Sequence, residues 1–136
     1  MIEEGKQLRV FVVDDEEVIA SSLGMILHLH GGIHATSFTD PLKVLELAHV
    51  DAPNLLISDV MMPELSGIDL AIQLRRLCPE CKVLLFSGHA ASSHMLKAAR
   101  EQGYAFELLS KPVHPADLLT KIRNLTESAQ PLLSQE

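Results

Sequence analysis

At 136 residues, 47% hydrophobic and 21% charged, the chain is long enough for one compact domain with a real core, and its composition is that of an ordinary globular protein. Eleven lysines and arginines stand against 18 acids, a formal charge of −7 with no basic stripe, which argues against direct nucleic-acid binding. No apolar run approaches the ~18 residues of a membrane span, and the opening MIEEGKQ carries two glutamates where a secretory signal needs a basic start, so a cytoplasmic location without membrane contact is expected.

Short apolar runs alternate with helix-like stretches five times. LRVFVV (8–13) predicts a buried strand, and Ile19, Leu23, Ile26 and Leu27 then form one helical stripe that Gly31-Gly32 stops. IHATSF (33–38) is a second strand. Asp40-Pro41 opens a helix carrying Leu42 and Leu45, because aspartate caps and proline suits the first helical position. NLLISDV (54–60) is a third strand, MMPELSG a loop, and Leu70, Leu74 and Leu77 mark a third helix. KVLLFSG (82–88) is a fourth strand, followed by a helix over 93–102 that ends at Gly103. AFELLS (105–110) is a fifth strand, and His114-Pro115 opens a fifth helix with Leu118, Ile122 and Leu125 on one face. One domain over 1–126 is expected, with a fraying tail at 127–136. Strands alternating with helices, and reading as near-continuous apolar runs, predict an α/β parallel sheet covered and buried on both faces.

In such a sheet ligands bind at the carboxyl ends of the strands. Asp14 and Asp15 follow the first strand, Asp59 ends the third, Ser87 the fourth and Lys111 the fifth. Each alone has an ordinary reading: Asp14 or Asp15 as a helix cap, Ser87 beside Gly88 as a turn, Lys111 as a surface lysine. Asp59 is harder to dismiss, since a carboxylate closing an apolar run is costly unless paired or metal-bound. Together the set gains weight, because one rim collects all five. Clustered carboxylates stay ionised only with a cation between them. Hard oxygen ligands completed by water and phosphate oxygens suit Mg²⁺. A lysine and a hydroxyl suit a phosphoryl group, and a carboxylate can itself be the nucleophile that carries one.

VVDDE, ISDVMMPELSG, LLFSGHA and LLSKP, in that order over roughly 8–125, resemble the receiver domain of two-component response regulators. A proline four and a glycine eight positions after Asp59 complete the pattern. The resemblance implies a flavodoxin-like (βα)5 three-layer sandwich with strand order 2-1-3-4-5, an order also stated for this fold by the general switch-point rule. It implies that Asp59 is the phosphoacceptor, and that Asp15 binds Mg²⁺ directly with Asp14 helping through water. The backbone carbonyl of Met61 would complete the protein ligands. Lys111 would pair with the phosphoryl group or Asp59, and the Ser87 hydroxyl would move to the phosphoryl group. It also implies a cis Lys111-Pro112 bond, against an unaided frequency of ~5–6%.

One departure stands out. Relatives often carry an aromatic residue three positions before the lysine, where this chain has Leu108; Phe106 lies on the same side of the strand one pleat away. Signalling is therefore expected to rely on Ser87 and the loop after the fourth strand, without a large ring flip at Leu108. His89, two residues after Ser87, is either an exposed loop histidine or a residue that tunes water access or phosphodonor use. CPEC (78–81) closes a helix and precedes a strand, the reverse of a thioredoxin-like context, and supplies half a zinc site; a loop that holds two thiols is the better reading. His28, His30 and His34 invite a metal reading, but His28 and His30 stand too far round a helix to face one ion.

The expected function is a phosphorylation-dependent signalling receiver. It takes its phosphoryl group from a sensor histidine kinase or histidine phosphotransfer protein, and switches a surface for a downstream protein or output domain. It is not expected to be an enzyme in the ordinary sense. A Mg²⁺-dependent aspartyl-phosphate phosphatase or phosphotransferase is the alternative, but Met61 stands where those enzymes need a second acid/base aspartate. A scaffold that is never phosphorylated is the third reading, and the intact acidic set argues against it.

Overall fold

The computed structural model of the protein describes residues 7–88 and 92–127. Five strands alternate with five helices: β1 (Leu8–Val13), α1 (Glu17–His28), β2 (Ile33–Phe38), α2 (Pro41–Ala48), β3 (Leu55–Asp59), α3 (Gly67–Leu77), β4 (Lys82–Ser87), α4 (Ser92–Glu101), β5 (Glu107–Ser110) and α5 (Pro115–Glu127). All pairings are parallel, in the order β2-β1-β3-β4-β5. The fold is the expected flavodoxin-like α/β sandwich. The expected tail falls, from residue 128, outside the described residues, as does His89. Among the described residues no helix is long and apolar enough to cross a membrane.

Successive strand residues point to opposite faces, so each central strand feeds two cores. Val10, Val12, Leu55, Ile57, Leu84 and Phe86 pack with Leu23 and Leu27 of α1 and Leu118 and Ile122 of α5. Phe11, Val13, Leu56, Val83 and Leu85 pack on the other face with Val44, Leu70, Leu74 and Leu96 of α2, α3 and α4. Each fully buried leucine contributes about 1.5–3 kcal/mol relative to an exposed one, and every residue of β3 is buried. This central strand is the rigid arm on which Asp59 is mounted.

Local signals set the helix ends. The Asp40 carboxylate accepts the Leu42 N–H at 3.0 Å with Pro41 opening α2, and Ser66 caps α3 by accepting the Asp69 N–H at 3.0 Å. Gly32 and Gly103 take φ of 89° and 97° after α1 and α4, a region that favours glycine. The Lys111-Pro112 bond is cis.

The expectation of uniformly buried strands needs correction. β2 and β5 are the sheet edges, covered on fewer sides, and neither holds a fully buried residue. Leu108 is 37% exposed, while Leu109 packs on the α1–α5 side. Phe106 precedes the β5 ladder rather than lying in it. It packs on the α3–α4 side, with Tyr104 stacked at 6.1 Å between ring centroids and the Arg75 guanidinium 5.4 Å over its ring. Leu42 and Leu77 are also exposed: the buried stripe of α2 is Pro41, Val44 and Ala48, and that of α3 ends at Leu74.

Candidate functional site

The carboxyl ends of β1, β3, β4 and β5 bring the predicted residues together. Asp59 is the last residue of β3 and 8% exposed; Asp14 directly follows β1 and is 1% exposed; Asp15, next to it, is exposed. One carboxylate oxygen from each of the three lies within 4.8 Å of the others. Lys111, one residue past β5, places Nζ 3.1 Å from Asp59 Oδ1 and 4.0 Å from Asp14 Oδ2. Ser87 ends β4 beside them, and its carbonyl accepts the Lys111 N–H at 3.2 Å. That bond ties the lysine backbone to the end of β4, while its side chain reaches across to β3.

Asp14 is the most constrained member. Neither Asp14 nor Asp15 is the N-cap of α1; that position is Glu16. Asp14 Oδ1 instead accepts the Glu16 N–H at 2.9 Å, an aspartate turn that steers the chain from β1 into α1. Its Oδ2 is buried without a hydrogen-bond partner among the described residues. Burial raises the Asp14 pKa above its ordinary value, and the charges of Asp59 and Asp15 push the same way. The Glu16 N–H and the Lys111 ammonium oppose the rise without cancelling it. Three carboxylates faced by one ammonium leave an excess of negative charge and an orphaned oxygen. A hard divalent cation would satisfy both. The donor set therefore fits Mg²⁺, with Asp14, Asp15 and Asp59 as the side chains able to hold it. Met61 lies in the loop after β3 with its side chain 44% exposed.

One glycine lets the site close up, and a second lies against the lysine stem. A Cβ added at Gly67 would stand 2.1 Å from the Asp59 carbonyl oxygen, and the Gly67 N–H donates to Val60 O at 2.8 Å. The N-terminus of α3 thus presses against the backbone that carries Asp59, which accounts for a glycine eight residues after it. A Cβ at Gly88 would meet the Lys111 Cβ and Cδ at 3.4 Å, so the lysine stem crosses that position.

Ser58 was not among the predicted residues. It is fully buried, and its hydroxyl donates to the Asp59 carbonyl at 2.9 Å, so the backbone under Asp59 is held from its own strand. The signal available was a single hydroxyl inside an apolar run. Beside the rim, an open groove of about 620 Å³ runs between α1 and the 111–113 loop, lined by Val18, Ile19, Ile26, Pro112 and Val113, and by Gly88 and Lys111 of the site itself.

The family model described as the response regulator receiver domain matches residues 10–123. The chain is 31% identical over 124 residues to the response regulator MprA of Mycobacterium leprae, covering 91% of this chain and 53% of that one. It is 28% identical over 121 residues to the response regulator receiver protein CpdR of Brucella abortus, covering 89% and 98%. It thus spans about half the length of MprA and nearly all of CpdR. Among solved structures, a CheY-like response regulator receiver domain protein from Methanospirillum hungatei superposes with a TM-score of 0.81 at 26% identity, covering 93% of this chain and 99% of that one. A receiver domain protein from Clostridium thermocellum gives 0.78 at 27%, covering 91% and 98%.

Proposed function

The chain belongs to the response regulator receiver domain family of two-component systems, and on that premise we propose that it is a signalling receiver switched by phosphorylation of Asp59. The observation that carries this is the Asp59 carboxylate at the mouth of the sheet, mounted on a fully buried strand with the Lys111 ammonium 3.1 Å away and two further carboxylates beside it.

In this reading a carboxylate oxygen of Asp59 attacks the phosphorus of a phosphohistidine. The O–P bond forms as the P–N bond breaks, and the imidazole leaves with the electron pair. Lys111 supplies a fixed positive charge where the equatorial oxygens of the transferring group gain negative charge. Burial of β3 and the Ser58 bond to the Asp59 carbonyl keep the nucleophile in place. Ser87, at the end of β4, donates its hydroxyl to the new phosphoryl group. The change then reaches the surface around α4 and β5. The stacking of Phe106 on Tyr104 and the Arg75 guanidinium over its ring support a switch that does not depend on a ring flip. Asp14, Asp15 and Asp59, with the Met61 carbonyl, would hold Mg²⁺. Bound there, the ion supplies charge neutralisation that lets the carboxylates and an incoming phosphoryl group coexist.

The donor we propose is a sensor histidine kinase or histidine phosphotransfer protein. It docks on α1, whose outer face carries Val18, Met25 and Leu29 at 75%, 66% and 80% exposure and adjoins the groove that shares Gly88 and Lys111 with the site. The protein is then a signalling component rather than an enzyme acting on a separate substrate.

The test is to add Mg²⁺ and a small phosphodonor such as acetyl phosphate to wild type and to Asp59→Ala, and to follow intact mass. A single phosphoryl group on wild type and none on Asp59→Ala supports the receiver. Multiple turnover of the donor without a lasting adduct supports a phosphatase-like enzyme, and no adduct on wild type supports a scaffold.

A further inference from the structure

At the opposite end of the sheet from Asp59 lie the two cysteines. Cys78 is the C-cap of α3, where its N–H donates to Leu74 O at 2.7 Å, and Cys81 is the last residue before β4. Between them Pro79 and Glu80 form a tight turn closed by the Cys81 N–H on Cys78 O at 3.1 Å. Such a hydrogen-bonded turn holds its end Cα atoms within about 7 Å, overlapping the 4.4–6.8 Å range that a disulfide requires. Both thiols are free.

Their surroundings differ, and the difference assigns roles. Cys81 is 1% exposed, packed in the α3–α4 core with its Sγ 3.3 Å from Lys82 O. Burial, with the neighbouring Cys78 adding to it, pushes its thiol up to about 12, so Cys81 stays protonated and does not begin a reaction. Cys78 is half-buried and lines an open groove of about 390 Å³ in which Arg9 and Lys82 are offset by Glu80 and by Asp51, whose Oδ1 lies 3.4 Å from Arg9 Nε. Of the two cysteines, Cys78 is the one that small molecules entering this groove can meet.

We propose that Cys78 and Cys81 form a dithiol–disulfide site, oxidised by a small-molecule disulfide that enters the groove at Cys78. The Cys78 thiolate attacks one sulfur of the small disulfide, forming a mixed disulfide and releasing one small thiolate. Cys81 then attacks the Cys78 sulfur, its proton passing to the second small thiolate as that leaves. Two protein thiols are oxidised by two electrons, and one small disulfide is reduced to two thiols. The reduced pair gains nothing from a stabilised thiolate at Cys81, the reverse of the situation that makes a strongly oxidising dithiol. Once closed, the disulfide is therefore expected to hold against monothiols, staple the end of α3 to the start of β4, and remove the Cys81 Sγ contact with Lys82 O.

The experiment incubates native protein with oxidised glutathione at neutral pH without denaturant, quenches with N-ethylmaleimide, and reads intact mass and peptide maps. Wild type should lose two hydrogens and join Cys78 to Cys81. Cys81→Ala should accumulate one glutathione adduct at Cys78, and Cys78→Ala should stay unmodified. The proposal is overturned by a wild-type protein that stays reduced or stops at the adduct, or by a Cys78→Ala protein modified as fast as wild type. The wild-type mass alone decides the matter should either variant fold poorly.

Discussion

Asp14 shows how a single residue can work against the fold it belongs to. Its pKa is raised above 3.8 in the folded chain, first by burial and then by Asp59 and Asp15. Below the unfolded-state value the group is protonated in both states and costs nothing. As pH rises from there through the folded value, the unfolded chain releases the proton first, so stability falls, and the penalty persists at neutral pH. The orphaned Oδ2 is the geometric counterpart of that penalty. Asp14→Asn should therefore raise the Tm of the metal-free protein at pH 7 by a few degrees, a gain that shrinks towards nothing near pH 3.5. Wild type should gain Tm on adding Mg²⁺ by mass action, and the variant much less. Scanning calorimetry over pH with and without Mg²⁺ checks all three; an Asn variant less stable than wild type without metal at pH 7 would falsify the idea that the carboxylate is held under electrostatic strain.

At the scale of the element, α3 is positioned by the backbone of β3 rather than by side chains. Gly67 opens the helix against Asp59 O, where an added Cβ would stand 2.1 Å away. Backbone on both sides of that contact cannot give, so α3 must move as a unit. We expect Gly67→Ala to lose about 3 kcal/mol in urea unfolding, the upper part of the overpacking range, and to slow labelling of Asp59. Unchanged stability would mean that α3 is free to slide. This contact also marks where the sequence stops being readable. Apolar runs announced all five strands, and the polar residues ending them announced the rim, because a charged group closing a buried run needs a partner. Strand order was not in those runs; the resemblance implied it. Edge position follows from order, so the 37% exposure of Leu108 could not be read from an apolar string. Ser58, Gly67 and the orphaned Asp14 oxygen depend on contacts between elements, which no local period encodes. Phe106 was placed on the correct side of the sheet, but its clamp by Arg75 joins residues 31 apart in sequence (106 minus 75).

The whole molecule has an orientation: chemistry at the carboxyl ends of the strands, thiols at the amino ends, and an uncovered apolar helix face on one flank. α1 carries apolar residues on two sides, with Ser21 and Ser22 exposed among the outer ones. Ala20, Leu23, Gly24 and Leu27 face the core, while Val18, Met25 and Leu29 face outward at i, i+7 and i+11. A helix serving only its own fold would keep that outer face polar. Desolvating this face costs little and yields apolar burial only when something covers it, and the groove leading from it ends at Gly88 and Lys111. On the proposed function, a phosphoprotein seated there would present its histidine to Asp59, whereas a small donor would reach the rim without touching α1. Val18→Glu and Met25→Glu should each lower the rate of transfer from a phosphohistidine protein by about 10-fold or more, the effect of losing one central contact of an interface. Labelling by acetyl phosphate and the urea midpoint should stay near wild type, since neither side chain is part of the core. Equal loss with both donors would place these residues in the reaction or the fold, and no loss with either would leave the outer face of α1 to a different partner.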